Sequence, residues 1–185
     1  MTRLDFIPHP QSRFATALRV GAEVEFAPEG RLSLRYFISG DVGAIRLPAP
    51  AASARTDELW RTTCFEAFLR PEPGEAYCEF NFAPSTQWAA YRFDRYREGM
   101  RRAEEVGPPS IIFSADPSRL ELHAAIDLGE LPVAPHDAIW RLGLSAIIEE
   151  TGGAKSYWAL AHPPGAPDFH HADCFAYELV WKIRP

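Results

Sequence analysis

Cysteine is scarce. The chain of 185 residues has three, Cys64, Cys78 and Cys174, too few and too scattered for a disulfide framework, so all three are expected as free thiols. No CxxC pair and no Cys/His set at zinc spacing occurs, which removes the usual structural-zinc scaffolds. No apolar run approaches the roughly 20 residues of a membrane span, and the opening MTRLDFIPHPQSRF has no apolar signal core, so a cytoplasmic protein is expected. Basic residues are not in excess: 19 Lys and Arg face 25 Asp and Glu, for a net charge of −6 with the signs interspersed. That argues against a nucleic-acid footprint and against a polybasic membrane surface. Methionine is limited to Met1 and Met100, which leaves histidines such as His123 as the main candidates for an axial haem ligand. G-x-S-x-G elbows, P-loops and zincin motifs are missing, so the sequence offers no convincing catalytic apparatus.

What is present is alternation. Leu18, Val20, Ala22, Val24 and Phe26 alternate with Arg19, Glu23 and Glu25, and after a Pro28-Glu29-Gly30 turn Leu32, Leu34, Tyr36 and Ile38 do the same. These runs predict a hairpin. A second hairpin is expected from residues 111–115 and 119–127 around Asp116-Pro117-Ser118. Residues 138–150 read as a long strand, 155–160 and the run ending at Trp181 as further strands, and 131–137 as a Pro-rich connection. Residues 94–106 are the one helical candidate, a short surface helix or an ordered loop. About ten short strands with many Pro and Gly turns indicate an all-β, two-sheet antiparallel β-sandwich, folded as a single domain over residues 1–185.

The most informative stretch runs from 59 to 100, where three strands are expected at 63–70, 77–83 and 87–94. Paired as a meander, they would place Phe65, Ala67, Leu69, Cys78, Phe80 and Phe82 inside. Glu66, Glu79, Asn81, Trp88 and Arg92 would then share the solvent-facing side. An aromatic platform beside charged hydrogen-bonding groups suits a polar ligand with an apolar face, such as a sugar. The plainer alternative is a cross-strand ion pair among Glu66, Glu79 and Arg92, worth roughly 0.2–1 kcal/mol. The histidines His162, His170 and His171 with Asp173 invite a metal, but adjacent histidines in extended chain point apart, and loop-anchoring hydrogen bonds account for them better. Two glutamates on paired strands could also stand as a glycosidase pair.

The segments LWRTTCFEAFL, YCEFNFAPSTQWAAY and YWALAHPPGAPDFHHADCFAYEL resemble the DOMON-like proteins related to family 9 carbohydrate-binding modules. The resemblance implies an immunoglobulin-like or jelly-roll-like sandwich whose members bind sugars or, in some branches, haem, a few with structural calcium. It matches Glu66 to the acidic position of the first motif strand, Glu79 and Asn81 to the second, and Trp88 to the aromatic of the third. A second tryptophan would be Trp60 or Trp158. The expectation is therefore a non-catalytic binding module for a small carbohydrate or similar polar ligand, needing no cofactor. A protein-interaction domain, a haem-binding domain and a glycoside-active enzyme are the alternatives.

Overall fold

The computed structural model describes residues 1–13, 17–27, 29–129 and 139–180. The expected connection at 131–137, Pro28 of the first turn, and Trp181 lie outside the described residues. Two antiparallel sheets face each other. The first has the order β1 (Thr2–Asp5), β3 (Leu18–Phe26), β4 (Arg31–Gly40), β10 (Arg119–Asp127), β9 (Ser110–Ala115). The second runs β2 (Ile7–Pro8), β12 (Lys155–Ala159), β11 (Ile139–Glu149), β5 (Cys64–Glu72), β6 (Tyr77–Phe82), β7 (Trp88–Phe93), β8 (Arg101–Arg102), with β13 (Tyr177–Val180) also paired to β11. The fold is the all-β sandwich that the alternation predicts.

Both expected hairpins form, β3 with β4 and β9 with β10, and β5, β6 and β7 adjoin as a meander. The 94–106 stretch takes the loop alternative. Arg95 and Glu98 pair across a tight turn, Gly99 sits at φ +68, and Arg101–Arg102 adds a two-residue strand to β7. A left-handed glycine closes such a turn at no steric cost. The first residues divide between the sheets: β1 pairs with β3, and two residues later β2 pairs with β12. Phe6, between them, is buried, and its N–H donates to the Val20 carbonyl.

The two faces of the second sheet decide where a site can form. Its inner face packs Phe65, Ala67, Leu69, Phe80, Phe82, Leu142 and Leu144 against Leu32, Leu34, Leu120 and Leu122 of the first sheet. The first sheet's outer face is polar, with Arg35 bridged to Glu23 and Glu121. The second sheet's outer face is covered too. Cys64, Phe68, Tyr77, Ala89, Tyr91, Phe93, Phe169 and Phe175 form a separate apolar cluster there. A sheet buried on both sides loses the apolar/polar alternation, and every residue of β6 is buried.

The cover is held down at Gly143. A Cβ at this position would lie 3.0 Å from the Cys174 carbonyl oxygen. The absence of a side chain therefore lets the 3-10 turn Ala172–Cys174 lie against β11. The loop before that turn carries Phe169 and His170 over the sheet.

Candidate functional site

A cavity of about 760 Å³ opens on this outer face. Its floor is built by adjacent strands. In the β5–β6 register Glu66 lies opposite Asn81 and Phe68 opposite Glu79, so the two glutamates are diagonal neighbours on one face. All three polar side chains are buried: Glu66 is 3 % exposed, Glu79 6 % and Asn81 1 %. Ser145 of β11 donates to Glu66 Oε2 at 2.9 Å. Asn81 Nδ2 donates to Glu79 Oε1 at 2.6 Å. Cys64 lies beneath, its Sγ 3.7 Å from Asn81 Oδ1, and burial pushes its thiol well above the ordinary range.

The walls come from loops and neighbouring strands. Trp60, in the 3-10 turn Leu59–Arg61, lines the mouth with 46 % of its surface exposed. Ile147, Tyr157, Phe169 and Met100 supply further apolar lining. His170 reaches in from the covering loop. The Arg97 backbone N–H donates to Tyr77 Oη at 3.2 Å, and Tyr77 Oη lies 2.8 Å from His170 Nδ1. The other ring nitrogen, Nε2, lies 3.7 Å from Glu79 Oε2. Arg97 occupies the left-handed region at φ 55, and its side chain donates to Asp168 Oδ1 at 2.8 Å.

The electrostatics follow from burial. Both floor carboxyls are pushed up: Glu66 to about 8, by desolvation first and then repulsion from Glu79, and Glu79 to about 7, by desolvation. Burial and the nearby Arg97 charge lower His170 to about 4, so the imidazole is neutral at pH 7. Asp168 moves the other way. Burial raises its carboxyl, but the bonds from Tyr96, Arg97 and the His170 N–H outweigh it and hold the group below its usual value.

Three expected site residues are not in this cavity. Trp88 is on the opposite face from Glu66: it pairs across from Phe82, is 4 % exposed, and belongs to the inter-sheet core. The Arg55 guanidinium covers its ring at 4.2 Å. Arg92 shares the Trp88 side of β7 and is engaged by Glu105 at 2.9 Å. Trp158 is also an inter-sheet residue, its indole N–H donating to Ser156 Oγ at 2.9 Å. The physical reason is the register. In β7 the set Ala89, Tyr91, Phe93 points toward the cavity, although it is the more apolar half and reads as core. Glu66, Glu79 and Asn81 do share one face, as expected, but as a buried floor rather than a solvated surface. Of the two alternatives for a second tryptophan, Trp60 lines the cavity.

Sequence reasoning missed Tyr77, Arg97, Ser145, Tyr157 and Phe169 as site residues, and preferred a loop anchor to a metal ligand for His170. One signal was available: Ser145 interrupts the apolar run IWRLGLSAIIE on the face of Glu66, and the two are register partners. The other late histidines do anchor loops. His162 Nε2 lies 2.9 Å from the Ile7 carbonyl oxygen, and His171 Nδ1 accepts from the Asp173 N–H at 3.2 Å.

The fold and the position of the cavity define a two-sheet sandwich with a pocket on the outer face of its larger sheet. No family model matches the sequence, and no curated protein matches it. Solved structures do match the fold. A protein from Bacteroides uniformis thought to bind carbohydrate superposes with a TM-score of 0.62 at 14 % identity, over 94 % of this chain and 82 % of that one. A family 9 carbohydrate-binding module from Caldicellulosiruptor kristjanssonii, solved with glucose, superposes with a TM-score of 0.55 at 11 % identity, over 98 % of this chain and 86 % of that one. The chain therefore has the fold of these modules.

Proposed function

We propose that this protein is a non-catalytic carbohydrate-binding module whose site is the cavity on the outer face of the second sheet. The observation that carries this is a cavity of about 760 Å³ with two hydrogen-bonding carboxyls, Glu66 and Glu79, in its floor and an exposed indole at its mouth. A pyranose has two chemically distinct surfaces. Its C–H face packs on an aromatic ring, here Trp60, and its hydroxyls require acceptors and donors around the rim. Glu66 and Glu79 supply the acceptors, with Arg97 as a donor at the cavity edge. The shared fold with a module solved with glucose supports the same reading, as do the sequence motifs that resemble the DOMON-like relatives of these modules. In this reading the protein acts in the cytoplasm, as one domain and without a cofactor.

The test is calorimetric titration with a panel of neutral mono- and disaccharides. The expected result is saturable heat with at least one of them, weakened about tenfold or more by Trp60→Ala. No heat with any sugar would end this reading. The paired, raised carboxyls also favour a second possibility, glycoside hydrolysis; release of the leaving group from aryl glycosides, abolished by Glu66→Gln, would replace binding with catalysis.

A further inference from the structure

The charges lining the cavity sort into two groups. The arginines at the mouth are matched by carboxylates within the protein. Arg102 pairs with Asp57, Arg101 with Asp94, Arg97 with Asp168 and Arg61 with Glu58, while Lys155 Nζ donates to the Arg61 carbonyl. The floor is different. Among the described residues no guanidinium or ammonium group bonds Glu66 or Glu79; their partners are the neutral Ser145 and Asn81, with the neutral His170 ring at 3.7 Å from Glu79. Glu66 Oε1 and Glu79 Oε2 accept no hydrogen bond from these partners. Arg97 acts on both carboxyls through space, but its own bonds go to Asp168, and two buried carboxyls with so little counter-charge ionise only at a cost.

We infer that the ligand carries a primary ammonium group, seated between Glu66 and Glu79, and that the preferred sugar class is an amino sugar with a free amine. This rests on the sugar-binding reading above and narrows it. The charge fits. An ammonium offers three hydrogens and a positive charge, which would favour the ionised, accepting form of two carboxyls that burial otherwise holds toward the protonated one, whereas a sugar hydroxyl brings no charge. Charge-assisted bonds of this kind are about twice as strong as neutral ones. The same charge would offset the burial that pushes both carboxyls up and the repulsion from Glu79 that adds to it at Glu66. The apolar walls then serve the ring carbons, and the amine sits at the deep end.

The experiment compares D-glucosamine, N-acetyl-D-glucosamine and D-glucose by calorimetry on the full chain at neutral pH. Glucosamine is expected to bind at least about tenfold more tightly than glucose. The acetylated sugar, which has lost the charge, should bind no better than glucose. Glu66→Gln and Glu79→Gln should each reduce the preference for the amine. Equal or tighter binding of glucose overturns the ammonium seat and leaves the sugar site standing. No heat from any of the three overturns both. A preference that survives in both glutamine variants overturns the placement. The wild-type comparison is decisive by itself if a variant fails to fold.

Discussion

Replacing Glu66 with glutamine should make the protein more stable at alkaline pH. The wild-type carboxyl is carried from its ordinary value of 4.5 to about 8. A carboxyl raised in the folded state binds its proton more tightly there than in the unfolded chain. Stability is therefore unaffected by this group below pH 4.5, falls as pH rises, and reaches its full penalty above pH 8. The penalty for a shift of this size is at most about 5 kcal/mol. Water in the open cavity screens part of it, and a gain of about 2 kcal/mol is the expected net effect of Glu66→Gln at pH 9. The Ser145 bond survives, because the glutamine oxygen can accept it at the position of Oε2. Urea denaturation of both proteins between pH 4 and pH 9 is the assay. The two curves should coincide at the acid end and diverge with rising pH, the variant above. A wild-type stability that does not decline across this range, or a variant destabilised equally at both ends, would refute the account of the floor.

The two tryptophans with opposite placements should separate stability from binding. Trp88→Ala empties part of the inter-sheet core and should cost about 3–5 kcal/mol in denaturation, with sugar affinity of the folded fraction unchanged. Trp60→Ala, at an exposed site, should change stability by less than about 0.5 kcal/mol while weakening binding in the same calorimetric assay. Tyr77→Phe removes the hydroxyl between Arg97 and His170 and should cost about 1–2 kcal/mol. Burial and the Arg97 charge hold the His170 ring at about 4, so it should stay neutral at pH 7 in this variant, which NMR of the imidazole protons would follow.

Much of the fold could be read from alternation because the first sheet and its hairpins have one wet face and one dry face. Leu32, Leu34, Tyr36 and Ile38 against Ser33 and Arg35 leave little choice of register. The second sheet is harder because both faces are covered. In β5 and β6 the glutamates and Asn81 marked one face correctly. In β7 both half-sets are apolar or aromatic, and choosing the indole over Ala89, Tyr91 and Phe93 reversed the strand. A tryptophan attracts a binding assignment, yet here a guanidinium over its ring helps bury it. Apart from Trp60, the cavity walls were not legible. Arg97, Phe169 and His170 arrive through a tight turn and a loop far along the chain, and a loop's landing place depends on tertiary contacts such as the bare Cα of Gly143.

The first eight residues belong to both sheets, β1 to one and β2 to the other. This makes the amino-terminal segment a strap across one open side of the sandwich. Its second half is hydrogen-bonded to the strand that presents Tyr157 to the cavity. Pulling on residues 1–8 would thus reach the cavity wall through the backbone pairing of β2 with β12 and the bond from the His9 N–H to the Tyr157 carbonyl, with no side-chain relay between. A force applied there would act on the Tyr157 wall directly, through the skeleton of the fold.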